Sequence, residues 1–369
     1  PPPEVAPAYT PPVPASAPPA PAAAPAPASA LNWEAGVDAY YLYNFTGDPN
    51  TQGPAARVFD GHSNSFSLNM AKIATYMTAD PVGFRIDVVY GHIGAVGNSV
   101  SGAVGPSADA MDTIGSSLYV GSFYVPQAFA TLKAGILTLD AGRFYTSASD
   151  EVLETKSNWN YSRSLLFAGA PFIHTGLRLG IAVNEMLALE LAVLNGWNND
   201  PDSSGDKTFG GKIALTLPSK TGLTLVTYIG KENAGANTTM LFDFVLAQPL
   251  GDMAALSLNA DYWKTGDANW WGIGLKAKLV LDESFYLVPR VEYLQSKAGG
   301  YSESGFLAVA TGDAALYEGT LTAAIPVGKN YEIRVEVRGD FSDKEVFRKA
   351  MTAKKNQFTG LIGFVAWLP

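Results

Sequence analysis

Residues 331–341 read YEIRVEVRGDF. Tyr331, Ile333, Val335, Val337 and Phe341 share one face of an extended chain with Gly339, while Glu332, Arg334, Glu336, Arg338 and Asp340 share the other. Strand side chains alternate between faces, so this segment needs hydrocarbon on one side and water or counter-charges on the other. Five charges on one face exclude a strand buried between two soluble sheets. The pattern fits a closed wall with lipid outside and a polar lumen inside.

The same period recurs along the chain. It predicts sixteen strands near 33–45, 64–77, 82–92, 117–132, 135–144, 172–183, 186–197, 208–217, 222–231, 239–248, 253–264, 269–281, 284–296, 314–326, 330–341 and 356–368. The segment MLALELAVL (186–194) also favours helix, but its leucines alternate with Ala188, Glu190 and Ala192 and it is read as strand. Short connections rich in turn residues (TADP 78–81, KA 133–134, NE 184–185, PSKT 218–221, PLGD 249–252, DE 282–283, VGK 327–329) alternate strictly with longer or more polar ones at 46–63, 93–116, 145–171, 198–207, 232–238, 265–268, 297–313 and 342–355. The expected fold is all-β: a transmembrane, antiparallel, up-and-down β-barrel of about sixteen strands, with both termini on the short-turn, periplasmic side. Aromatic residues at strand ends (Trp33, Tyr41, Tyr43, Phe45, Trp263, Trp270, Trp271, Phe285, Tyr293, Trp367) are expected to form interfacial girdles.

Composition agrees with this class and excludes others. The chain has 369 residues, and none of its apolar runs reaches the 18 or so residues of a membrane helix. Charged residues make up 16%, against roughly 25% in soluble domains. A formal charge of −9 argues against nucleic acid. With no cysteine, disulfides, thiolate metal sites and thiol nucleophiles are excluded. Three histidines leave little material for catalysis, and neither an enzyme nor a cofactor is expected. Residues 1–30 hold 12 prolines and 11 alanines. Proline removes backbone donors, so this stretch is expected to be an unstructured linker or periplasmic arm, available to a periplasmic or cell-wall partner, ahead of the barrel at 31–369. A chain beginning at Pro1 fits a removed signal peptide.

Several strings carry a resemblance: DAYYLYNF (38–45), NSFSLNMA (64–71), GFRIDVVYG (83–91), AGRFYT (141–146), NWNYSRSLLF (158–167), PFIHTGLRLG (171–180) and VLNGWNND (193–200). Through them the chain resembles the outer-membrane β-barrel porin family described as OmpL-like, well over 31–200 and mainly by strand pattern beyond. The resemblance implies a Gram-negative outer-membrane location among lipid and lipopolysaccharide, and a diffusion channel for small hydrophilic solutes and ions, with room for a homo-oligomer. The chain ends Trp367-Leu368-Pro369, departing from the terminal aromatic usual in such barrels. An occluded scaffold barrel, recruiting a partner through its Pro/Ala arm, is the alternative.

The alternation turns twelve acids (Glu34, Asp38, Asp87, Asp140, Glu190, Asp243, Asp261, Glu292, Glu318, Glu332, Glu336, Asp340) and eight bases (Arg85, Arg178, Lys212, Lys276, Lys278, Arg290, Arg334, Arg338) inward. These include the expected pore-lining set. Such rings of charge either brace the wall as ion pairs or set the selectivity of an aqueous pore. The loop 145–171, with Asp150, Glu151, Glu154, Lys156 and Arg163, is the candidate constriction, by analogy with general porins whose third loop enters the lumen. Asp200, Asp202 and Ser204 begin a calcium-loop pattern, but position 12 is Gly211, so the bidentate acid is missing. His174 is expected to face inward near Ser162 and Ser164, without the glycine elbow of a serine hydrolase.

Overall fold

The computed structural model describes residues 31–47, 54–78, 80–100, 123–232, 235–301, 312–349 and 352–368. The Pro/Ala arm lies outside them, as does the segment predicted to begin the fourth strand at 117. The strands are β1 (Asn32–Asn44), β2 (Ser65–Met77), β3 (Val82–Tyr90), β4 (Phe123–Ala134), β5 (Leu137–Tyr145), β6 (Ile173–Ala182), β7 (Leu187–Leu194), β8 (Thr208–Thr216), β9 (Gly222–Lys231), β10 (Thr238–Pro249), β11 (Ala254–Thr265), β12 (Ala268–Asp282), β13 (Phe285–Lys297), β14 (Ala314–Pro326), β15 (Tyr331–Ser342), β16 (Phe347–Lys349), β17 (Thr352–Lys354) and β18 (Asn356–Leu368). Sixteen of them close into one antiparallel barrel, each pairing with its neighbours and β1 pairing with β18. Closure leaves no unpaired sheet edge, the condition for crossing hydrocarbon with strands.

The alternation works as read. On β15 the outward Val335 and Val337 are 44% and 56% exposed, while Glu336 and Arg338 between them are buried. MLALELAVL is strand β7, which stops at Leu194, ahead of Asn195 and Gly196, rather than running on to 197. Asn32 and Leu368 both lie at the end of the barrel that carries the turns 217–221 and 327–330.

Other details differ from expectation. The strict long–short alternation fails between β11 and β12, where Gly266 (φ +51°) and Asp267 close a two-residue turn. The long connections hold structure of their own: helix α1 (His92–Val100), a 3₁₀ turn (Thr155–Ser157), helix α2 (Leu165–Gly169) and the small hairpin β16–β17. The girdle is thinner than expected. Trp33, Phe45 and Trp271 are exposed on the outer face, but Trp263 and Trp270 are buried inside, and Trp367 packs toward Leu361 and Val365. Trp263 shares the parity of Asp261, and Trp270 that of Lys276, so alternation puts both on the inner face.

Candidate functional site

The connection from Tyr145 to Ile173 leaves the end of β5 and crosses the barrel interior. Its path is set by wall side chains that bind its backbone. Arg334 donates to the carbonyls of Thr155 and Asn160, each at 2.9 Å. Glu336 accepts from the amide of Tyr161 at 2.8 Å, and Glu292 from that of Leu165 at 2.7 Å. Arg290 reaches the Ser162 carbonyl at 2.8 Å, and Arg338 the Arg163 carbonyl at 2.6 Å. A segment so short on regular structure leaves its peptide groups unpaired, and buried unpaired groups are costly; the wall supplies the missing partners.

Side chains of the loop complete the docking. Asp150 accepts from Ser257 at 2.6 Å and pairs with Lys276 at 3.0 Å. Glu151 pairs with Arg290 at 2.9 Å and accepts from the Ser164 amide at 2.7 Å. Burial by itself would raise the Glu151 carboxyl, but Lys276 and Arg290 outweigh it and hold it down at about 2. Glu154 pairs with Lys72, and Lys156 lies 3.9 Å from Glu34 and 3.5 Å from Glu154. Arg163 turns back on its own loop, donating to Val152 and Tyr161 carbonyls at 2.9 and 2.6 Å. At the far side Tyr161 and Thr155 donate their hydroxyls to Asp38 of β1. A Cβ on Gly363 of β18 would lie 2.2 Å from the Tyr161 ring, so a bare glycine makes room for the loop there.

The loop thus spans from β11–β13 to β1–β2. All twelve residues expected to line a pore turn into the barrel. Asp87, Lys276, Lys278, Arg290, Glu292, Glu332, Arg334, Glu336 and Arg338 are buried; Arg85, Arg178 and Glu190 are half-buried. The packing sorts them into groups. Arg85 joins Glu34 (2.9 Å) and Asp87 (2.7 Å), Arg178 joins Asp140 (2.8 Å), and Arg338 joins Asp340 (2.7 Å). Lys278 sits 3.8 Å over the Tyr286 ring. Glu190 accepts from Ser147 at 2.7 Å, and Glu332 accepts from Tyr286 at 2.8 Å.

Lys72, absent from the sequence-derived inward set, lies between Asp87 (2.8 Å) and Glu154. A register shift between Asp38 and Ala39 in the β1–β2 pairing changes the parity of β2, so that Asn69 and Met70 are both buried. Simple alternation from Phe66 and Leu68 therefore puts Lys72 on the wrong face. Arg57 and Asp60, from the connection 54–63, were also missed; Arg57 pairs with Asp60 and lies 3.7 Å from Asp340.

Inner-face exposure in a closed barrel measures free space in the lumen. The inner faces of β13–β15 and β18 are buried beneath the loop. On β4–β9, toward the short-turn end, the inward-facing Thr131, Thr138, Gly180, Ala188, Ala214 and Thr224 are small and half-buried. Toward the long-loop end an apolar core lies inside the barrel. Phe59, Leu165, Leu166, Phe167, Phe172, Trp270 and Tyr301 belong to it, with Phe167 stacked on Phe172 at 4.9 Å.

The other candidates do not assemble. Asp200 pairs with Arg143, while Asp202 accepts from the amides of Ser204 and Gly205 at 2.8 and 3.0 Å and pairs with Lys207, an acidic turn satisfied by its own donors. Among the described residues no group of three or more His, Asp or Glu is arranged to hold a metal ion. His174 faces inward but contacts the Gly196 carbonyl (3.0 Å), Thr146 (3.3 Å) and the Tyr228 ring (4.5 Å). Ser164 caps α2, and Ser162 meets Arg290 and Arg338, so no serine–histidine pair forms.

Comparison with known proteins agrees with the architecture. The family model described as "Putative beta-barrel porin-2, OmpL-like" matches residues 30–368. No curated protein sequence matches the chain. Among solved structures, the outer membrane channel DcaP of Acinetobacter baumannii superposes with a TM-score of 0.63 at 12% identity, over 92% of this chain and 97% of that one. A loop L8 deletion mutant of OmpT, an outer membrane protein of Vibrio cholerae, gives 0.61 at 10% identity, over 92% and 100%. An anion-selective porin from Comamonas acidovorans gives 0.57 at 12% identity, over 92% and 100%. At these identities the likeness is one of fold.

Proposed function

The chain belongs to this OmpL-like β-barrel porin family, and on that premise we propose that it forms a restricted outer-membrane pore for passive diffusion of small hydrophilic solutes and ions, with both termini periplasmic. The supporting observation is the loop drawn across the lumen against one side of the wall, with small, half-exposed residues on the other. Sixteen strands alone enclose an aqueous channel. Here the loop takes up much of that volume and places Asp150, Glu151 and Glu154 beside Lys276, Arg290 and Lys72. Charges of both signs at a narrow point select solutes by their fit to the local field. Acids outnumber bases on the inner face, which favours cations. The outer face takes outer-membrane lipid, and the long-loop rim lipopolysaccharide.

A second reading is favoured by the apolar core around Phe59, Phe167, Phe172 and Trp270, which lies at the long-loop end. On that reading the barrel is an occluded scaffold and residues 1–30 engage a periplasmic or cell-wall partner. Planar-bilayer recording separates the two. Stable open-channel steps from the folded wild-type barrel support the pore. Silence from that barrel, with steps appearing when Phe59, Phe167 and Phe172 are replaced by alanine, supports the scaffold.

A further inference from the structure

Two of the three histidines meet at the long-loop end of the barrel. His62 ends the connection 54–63 and His92 opens α1; their ring centroids are 4.5 Å apart and their planes inclined by 58°. His62 is half-buried and its amide donates to the Tyr40 hydroxyl at 3.1 Å, which fixes the backbone there. His92 is 6% exposed, and neither of its ring nitrogens has a hydrogen-bond partner. A buried polar group left unpaired is costly, so an orphaned imidazole asks for a ligand.

The space in front of that ring has a defined shape. A Cβ built on Gly61 would lie 3.1 Å from His92 Nε2, so glycine leaves room before this nitrogen. The Val58 backbone lies against the same ring, where an outer-shell acceptor would sit.

We propose that His62 and His92 form a two-imidazole site for a divalent transition cation of the Zn²⁺, Cu²⁺ or Ni²⁺ class. Two imidazoles bound to one tetrahedral ion at about 2.0–2.1 Å bring their centroids to roughly 5 Å, close to the 4.5 Å found here. Nitrogen donors favour these ions over Ca²⁺ or Mg²⁺. Asp60 is nearby but held by Arg57, so solvent completes the coordination. The ion would join the connection 54–63 to α1. Val58, Phe59 and Ile93 of those two segments belong to the apolar core at this end. The site does not depend on whether the lumen conducts.

The test is calorimetric titration of the full-length, chelator-stripped barrel in detergent with ZnCl₂. Heat-modifiable gel migration verifies that each variant is folded. One equivalent should bind, and His62→Asn and Gly61→Ala should each weaken binding by at least about tenfold, as should His92→Asn where it folds. His174→Asn should bind as wild type does. The proposal is overturned if wild type takes up no Zn²⁺ at millimolar metal, or if His62→Asn and Gly61→Ala bind it undiminished.

Discussion

The Glu151 carboxylate lies 2.9 Å from the Arg290 guanidinium, one on the loop that crosses the lumen and the other on β13. Both are buried, and both also hold backbone: Glu151 takes the Ser164 amide and Arg290 the Ser162 carbonyl. The pair therefore fixes the loop at successive points rather than touching it once. Removing one partner of a buried pair typically costs about 3–5 kcal/mol, because the other charge is stranded.

The two partners should not be equivalent. Without Glu151, Arg290 keeps Glu318 at 3.3 Å. Without Arg290, Glu151, Glu292 and Glu318 face each other with less positive charge among them. Arg290→Met should release the loop more than Glu151→Gln does. Limited proteolysis of the folded barrel would read this as faster cleavage between 146 and 172. Equal rates for both variants and wild type would refute the docking account.

The pair also sets an acid limit. The Glu151 carboxyl is depressed from 4.5 to about 2, so its contribution is full above about 4.5 and is lost as pH falls toward 2. The stability difference between wild type and Glu151→Gln, from urea titrations at stepped pH, should be constant from neutral pH to about 4.5 and then shrink. A difference that grows on acidification would show the opposite sign of coupling.

Neighbours on β15 should respond differently. Val335 is 44% exposed on the outer face, so Val335→Arg near mid-membrane should destabilise the barrel by about 2–4 kcal/mol. Arg334→Ser removes the donors to Thr155 and Asn160 but leaves strand pairing intact. It should free the loop with less effect on barrel unfolding. Folding from urea into lipid vesicles, paired with loop proteolysis, distinguishes the two. Unfolding by Arg334→Ser alone would refute the assigned strand faces.

Selectivity follows from the same contacts. Replacing Asp150, Glu151 and Glu154 by Asn, Gln and Gln leaves Lys276, Arg290 and Lys72 short of counter-charge. A weak cation preference, fading at high salt as screening shortens the field to a few ångströms, should fall or reverse. Reversal potentials across a salt gradient measure it. An unchanged potential would remove the loop from the conduction path.

Orientation is open to labelling. Ser203 lies on the long-loop side and Ser219 in the short turn between β8 and β9, both exposed. In this cysteine-free chain, a cysteine at 203 should react with an impermeant maleimide on intact cells and one at 219 should not. The inverse pattern would reverse the proposed topology.

The barrel was legible in the sequence because a strand's two faces are set by local geometry. Val335 and Glu336 are adjacent and must point opposite ways whatever surrounds them. Most of the inward acids and bases followed from that rule, as did the strand character of MLALELAVL. The partners of those charges did not follow, because Glu151 and Arg290 stand 139 positions apart and meet only once the wall has closed. Lys72 was hidden by a β-bulge, which breaks the parity that the sequence reading relies on. The apolar filling of the long-loop end was hidden for a related reason. Leu165–Phe167, Phe59 and Phe172 have no period of their own, and become a core only where tertiary structure brings separate connections inside one barrel. Alternation along each strand determined which side chains face inward; what occupies the interior, and which charges remain for a solute to meet, was decided by long-range packing.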